Sequence, residues 1–298
     1  MPLCVPGADG PVTHVGVIGG CAADAAAAAA VVLAGAPGTP AAEPSWSPPP
    51  PAVATLATPL SVRGLRVGVY SPWFDDCDAA VRGPCRSAVA ALAAAGATVV
   101  ESPVPYLEDV RVAHAAAITA DMRAGLDAAG VLAAGGVAWM GPDARTKMAM
   151  AAEFTPADVA RGNRIRTAVM AAAAATFRSV DVVVTPALGC LPPPVPANAA
   201  TGLLDVVADS AMMRFMLWAN WAGLPAVVFP VGAADGGVPV CLQAVGPPWA
   251  EALLLRLAAA VEEGALTQGG GGCRAHRRCS TTRSRATWSE PEGGARRW

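Results

Sequence analysis

Few of the side chains that could carry chemistry stand at spacings that would let them work together. The chain holds a single lysine, Lys147, in the run RTKMAM. A lysine amine serves as a base only when it is desolvated and held against a hydroxyl. Nucleophilic serines of that kind sit among glycines, whose backbone N–H groups can approach an oxyanion. Ser45, Ser47, Ser61, Ser71, Ser87, Ser102, Ser179 and Ser210 all have non-glycine neighbours. His114 could act as a base, but no acidic or nucleophilic partner stands near it in sequence, and the expectation is a packed histidine. Cys273-x2-His276-x2-Cys279 would offer three soft ligands to zinc, yet a tetrahedral site wants a fourth ligand and a fold around it. The GLRVGV run at 64–69 reads as a strand and has no G-x-G-x-x-G spacing for a nucleotide phosphate. No catalytic residue and no metal site is assigned.

The elements that would position such groups are clearest between Asp209 and Glu263. A helix is expected there, capped by Asp209 or Ser210. It carries Met212, Phe215, Met216 and Ala219 on one stripe, and it ends where Gly223 tolerates a left-handed conformation and Pro225 blocks continuation. Ala226–Val231 and Val238–Val245 are valine-rich runs separated by Gly232, Asp235, Gly236 and Gly237. This pattern predicts a hairpin of two buried strands in the sheet interior. Pro248 and Trp249 then open a helix with Ala250, Leu253, Leu254, Leu257 and Val261 at helical spacing.

Those residues also carry a resemblance. Asn220, Gly223–Ala226, Pro230–Gly232, Gly237–Pro239, Leu242–Gln243, Gly246 and Trp249–Glu251 follow in order the C-terminal pattern of the amidase signature family. Val238 and Cys241 depart from its usual leucine and glycine. The MRF and PPWAEA runs on either side look most like the plant-type fatty acid amide hydrolase branch. The resemblance implies an α/β fold: a mixed, largely parallel sheet flanked by helices, incomplete because the N-terminal catalytic part is missing. It also implies hydrolysis of N-acyl amides, N-acylethanolamines among them, by a Ser–Ser–Lys triad without metal or cofactor. None of the three triad members is matched here. What the matched part implies is the acyl side of the substrate site, with Met212, Phe215, Met216 and Trp218 as candidate substrate-binding residues. Ordinary core packing is the competing account of each. A non-catalytic acyl-chain-binding or regulatory subunit is the alternative function, and a truncated product without independent activity is a third.

Upstream, Ala22–Ala34 is an alanine-rich helix closed by Gly35, and Asp24, Ala25, Ala34 and Gly35 fit a family helix that follows the nucleophile region. Leu65–Tyr70, Pro84–Ala95 and Ala97–Val100 read as strand, helix and strand, a right-handed crossover with parallel strands. A helix over Leu107 to about Ala129 turns Val110, His114, Ala117 and Ile118 inward. Gly135–Pro142 is a loop. Thr155-Pro-Ala-Asp158 predicts a helix start with a capping box, running to about Phe177 with Arg161, Arg164 and Arg166 solvated. Val180–Thr185 is a strand buried on both faces and stopped by Pro186; Asp181 and Pro186 match the family pattern there.

Four segments follow from this reading. Residues 1–35 start the amidase-like region, 36–59 form a proline-rich linker, 60–263 form the C-terminal amidase-like α/β region, and 264–298 form a disordered basic tail. The tail carries seven arginines against two glutamates, which leaves −7 on residues 1–263 of a chain whose net charge is −2. That balance gives the molecule no reason to bind nucleic acid. Eight cysteines without a CxxC suggest reduced thiols in an intracellular protein. No secretory signal is evident, and Cys21–Leu33 is too short to span a bilayer. The expected setting is cytoplasmic or peripheral to an endomembrane, with a lipid-like or small amide substrate in the full-length form. Peripheral membrane contact and homodimerisation are left open.

Overall fold

The computed structural model describes residues 12, 14, 16–34, 59–195, 197 and 205–265. The proline-rich linker (apart from its last residue), the basic tail from residue 266 and the Cys273/His276/Cys279 group lie outside the described residues. The framework is α1 (Ala22–Ala34), β1 (Arg66–Val69), α2 (Ser71–Phe74), α3 (Ala79–Ala94) and β2 (Thr98–Glu101). It continues with α4 (Leu107–Ala128), α5 (Pro142–Glu153), α6 (Pro156–Thr176) and β3 (Val182–Pro186). Then come α7 (Val206–Met213), α8 (Leu217–Ala222), β4 (Ala226–Ala233), β5 (Pro239–Val245) and α9 (Glu251–Ala260).

The five strands form one mixed sheet in the order β2-β1-β3-β5-β4. β1 pairs parallel with β2 and β3, and β5 runs antiparallel to both β3 and β4. Four strands therefore point one way and β5 alone opposes them, as the α/β expectation required. Each face carries its own apolar layer. On one, Val182, Val184, Leu242 and Ala244 meet Val81, Cys85 and Leu92 of α3 and Leu254 and Leu257 of α9. On the other, Val183 and Val245 meet Val110 and Ala113 of α4, Val169 of α6, and Phe215, Trp218 and Trp221. β3 lies in the middle with all five residues buried, which is what its continuous valine run required.

The helix starts are explained locally in two places. Thr155 Oγ1 accepts from the Asp158 N–H at 3.3 Å, and the Asp158 carboxylate accepts from the Thr155 N–H at 3.0 Å, so the capping box forms as expected. α3 starts earlier than the sequence suggests, at Ala79, with Pro84 inside it. A proline there forgoes one backbone hydrogen bond. Val81 and Cys85 lie buried in the same apolar layer, so the extra turn and a half has a packing reason. Lys147 stands on α5.

The hairpin forms with the expected strands and an Asp235–Gly237 turn, but its position differs from expectation. β5 is interior and largely buried, whereas β4 is the last strand at one edge, with Ala226, Val228, Pro230 and Ala233 exposed. A valine run reads as buried on both faces, and here only one face of β4 is covered.

Candidate functional site

The expected single helix over 209–222 is two helices joined by a turn at Arg214–Met216. The cap is neither Asp209 nor Ser210. The Asp205 carboxylate accepts from the N–H groups of Val207 and Ala208, at 3.1 and 3.0 Å. The turn is held by groups outside the local sequence. The buried Gln243 carboxamide, on β5, donates from Nε2 to the Phe215 carbonyl at 2.9 Å and to Thr185 Oγ1 at 3.1 Å. That bond ties the turn to the sheet. Arg214, the first residue of the turn, pairs with Asp76 at 2.5 Å and donates to its carbonyl at 2.7 Å. At the end of α7 the Gly189 N–H donates to the Ala211 carbonyl at 3.0 Å. A Cβ on Gly189 would stand 2.4 Å from that oxygen, so only glycine allows the approach.

The four candidate substrate residues separate into two kinds. Phe215 is fully buried and Trp218 nearly so, and both pack on Trp73, with ring centroids 5.5 and 6.2 Å away. Phe177 lies 6.2 Å from Trp218. Met212 and Met216 keep part of their surface in solvent. The structure thus gathers Phe215 and Trp218 into an aromatic cluster, and leaves Met212 and Met216 half-buried outside it. Trp73, in the short helix after β1, completes that cluster. Its apolar setting in SPWF was the available signal, and the sequence reading passed it by. A groove of about 250 Å³ lies elsewhere, between α4 and the end of α5, lined by Ala120, Arg123, Asp127, Ala151 and Phe154 among others.

A polar centre sits behind this cluster. His114 Nε2 lies 2.7 Å from Asn220 Oδ1, and Asn220 Nδ2 donates to the Val12 carbonyl at 2.7 Å. Because the amide nitrogen is used on Val12, the oxygen must accept, and His114 carries its proton on Nε2. His114 Nε2 is therefore a donor here and offers no lone pair to a proton. Burial pushes the His114 pKa down, and the Asn220 bond partly offsets this. The packed histidine expected from sequence is what is observed. Arg166, expected in solvent, instead donates from Nε to the Trp221 carbonyl at 2.9 Å and holds the end of α8.

Lys147 stands on α5 with about half of its side chain exposed, and its ionic partner is Asp209 on α7 at 3.9 Å. Ser71 donates from Oγ to Glu101 at 2.7 Å, and Ser179 to the Thr176 carbonyl at 2.8 Å. Among the described residues no serine is hydrogen-bonded to the lysine. Asp181, matched to the family pattern, holds two strand starts together: it accepts from the Arg66 N–H at 2.8 Å and pairs with the Arg66 guanidinium at 2.6 Å. That pairing holds the Asp181 pKa below the usual carboxylate range.

The sequence profile of the Amidase family matches residues 5–255. A fatty acid amide hydrolase of Medicago truncatula is 36% identical over 265 residues, covering 85% of this chain and 42% of that protein. One of Arabidopsis thaliana is 36% identical over 206 residues, 68% of this chain and 34% of that protein. The chain thus spans less than half the length of these curated relatives. A bacterial aryl acylamidase of the amidase signature family has the same fold, with a TM-score of 0.67 at 20% identity over 83% of this chain and 52% of that one. 6-Aminohexanoate cyclic dimer hydrolase gives 0.63 at 22% identity. Among the described residues no helix is long and apolar enough to cross a membrane. The chain belongs to the amidase signature family and resembles its fatty acid amide hydrolases.

Proposed function

We propose that this chain is the acyl-side portion of a fatty acid amide hydrolase-type enzyme, and that it does not hydrolyse amides by itself. The observation that carries this reading is the engagement of its one lysine. A Ser–Ser–Lys hydrolase needs that amine within hydrogen-bond reach of a hydroxyl, and Lys147 is turned to Asp209. The 36% identity to plant fatty acid amide hydrolases supports a long-chain N-acyl amide as the substrate of the full-length form. Met212, Phe215, Met216 and Trp218 would then line or back the acyl-chain site. We place the full-length form inside the cell, in the cytoplasm or at an endomembrane surface, where a long acyl chain partitions.

The purified chain should be assayed with a long-chain N-acylethanolamine and with a short aromatic amide, and treated with a serine-directed fluorophosphonate probe. No turnover above buffer and no labelling are expected. Turnover that disappears in Lys147→Ala would overturn the proposal. A second reading, a non-catalytic acyl-chain-binding subunit, rests on the partial exposure of the candidate residues Met212 and Met216. Saturable binding of a long-chain fatty acid by the inactive chain would favour it, and no binding would leave a fragment without independent activity.

A further inference from the structure

Arg123 and Asp127 stand one turn apart on α4, at a spacing where opposite charges pair across a helix surface. They do not pair. Neither has an ionic partner among the described residues. Two local causes keep them apart. Arg123 is half-buried and donates from Nη1 to the Met148 carbonyl of α5 at 3.2 Å, which ties its guanidinium to the neighbouring helix. The order is also the weaker one, with the cation N-terminal to the anion. Asp127 is exposed in the last turn of α4, where the helix dipole is negative and no basic side chain offsets it. A carboxylate there is unfavourably placed unless a cation stands beside it.

Both residues line the groove of about 250 Å³ between α4 and the end of α5. Everything else that lines it is uncharged: Ala120 and Ala124 of α4, Ala151 and Ala152 of α5, and Phe154 just beyond. Methyl groups and one ring thus separate a cation from an anion. The groove is smaller than the pockets of roughly 300–1,000 Å³ that take drug-sized molecules, and it suits a small metabolite. A guanidinium takes a carboxylate on a fork of N–H donors, and a carboxylate takes an ammonium. A simple anion on Arg123 would meet Asp127 as a like charge, and a simple amine on Asp127 would meet Arg123 in the same way. A molecule that carries both charges satisfies both ends.

From this we infer that the groove is a binding site for a zwitterionic aliphatic α-amino acid, with its carboxylate on Arg123 and its ammonium on Asp127. The spacing favours an α-amino acid over a longer one. Four helical residues rise about 6 Å, and an α-amino acid carries both charges on neighbours of one carbon, so it reaches both side chains without stretching. None of the four candidate acyl-site residues lines the groove. The inference therefore goes beyond the functional proposal and stands or falls apart from it.

The test titrates the full chain with L-leucine and follows the backbone amides by TROSY NMR. Saturable shifts are expected at residues 120–127 and 151–154, with a dissociation constant on the order of 1 mM, as suits two charge-assisted contacts in an open groove. 4-Methylpentanoate is leucine without its amine, and 3-methylbutylamine is leucine without its carboxylate. Each should bind about tenfold more weakly. Asp127→Asn, at an exposed position, should leave the thermal midpoint within a few degrees and weaken leucine binding about fivefold. Arg123→Gln, which keeps a donor for the Met148 carbonyl, should do the same. Lys147→Ala, elsewhere on α5, should leave leucine binding unchanged. Equal binding of leucine and 4-methylpentanoate would overturn the assignment, as would leucine binding that survives Asp127→Asn. So would tighter binding of 6-aminohexanoate, whose charges lie farther apart, or the absence of any saturable shift. Amide hydrolysis enters none of these readouts, so either result leaves the functional proposal to its own assay.

Discussion

His114 on α4 and Asn220 on α8 are joined by a 2.7 Å hydrogen bond across 106 residues of sequence, and through Asn220 the bond reaches the carbonyl of Val12. Three distant segments meet at one carboxamide. With its pKa pushed below 6.5 by burial, His114 binds a proton less readily folded than unfolded. Its contribution to stability is therefore present above about pH 6.5 and is lost as the pH falls from there through the lower folded value. The urea midpoint should drop between pH 7 and 5. His114→Gln keeps a donor for Asn220 but cannot titrate, so it should flatten that drop, at a cost of about 1 kcal/mol at pH 7. Asp121, whose carboxyl burial pushes up, works in the opposite direction, so the comparison must be made against wild type at each pH. An unchanged slope in His114→Gln would show that this histidine is not the titrating group.

The bond from Gln243 to the Phe215 carbonyl makes a different demand. Gln243→Leu keeps the volume roughly and leaves that buried carbonyl without its partner. The expected loss is about 1–3 kcal/mol by urea denaturation. Near-ultraviolet circular dichroism should change as well, because the turn that holds Phe215 against Trp73 loses its tether. Stability within error of wild type would mean that the carbonyl finds a replacement donor.

These two bonds also mark where sequence reading succeeds and where it stops. The parallel β1–α3–β2 crossover, the interior β3 and the Thr155–Asp158 capping box are written in residues a few positions apart, and each was legible. The helix break at Arg214–Met216 was not. The stripe of Met212, Phe215, Met216 and Ala219 is a sound helical pattern, and the side chain bonded at its break is a glutamine 28 residues away. The edge position of β4 was hidden for a similar reason. Its valines state that one or both faces are apolar, and which neighbours cover them is set by strand order. Asn220 and Gln243 were visible only as members of a family pattern, and their bonds to His114 and Phe215 appear only once the chain is folded.

The split among the four candidate substrate residues yields a direct comparison. Phe215→Ala removes a fully buried ring and should cost about 3–5 kcal/mol. Met212→Ala and Met216→Ala act on half-buried, flexible side chains and should cost less, about 1 kcal/mol each. If the acyl-chain site lies here, the methionine variants should weaken binding of a long-chain fatty acid several-fold more than they lower stability. Equal losses in both measurements would assign the methionines to packing alone.

Lys147 allows the sharpest separation of structure from chemistry. A triad lysine is a residue whose removal costs several orders of magnitude in turnover, roughly 10⁴–10⁶ for members of well-studied serine hydrolase triads. A surface ion-pair lysine is one whose removal costs less than about 1 kcal/mol of stability and nothing else. Lys147 faces Asp209 at 3.9 Å with about half of each side chain in water. Lys147→Ala should therefore shift the thermal midpoint of the chain by no more than a degree or two. It should also leave unchanged the turnover of any complex reconstituted with a serine- and lysine-bearing amidase portion. Asp209→Ala should give the same small shift, and the double variant no more than either alone, because one exposed pair is all that is lost. A reconstituted enzyme that Lys147→Ala silences would place this lysine in the catalytic machinery and the α5–α7 contact in a resting arrangement.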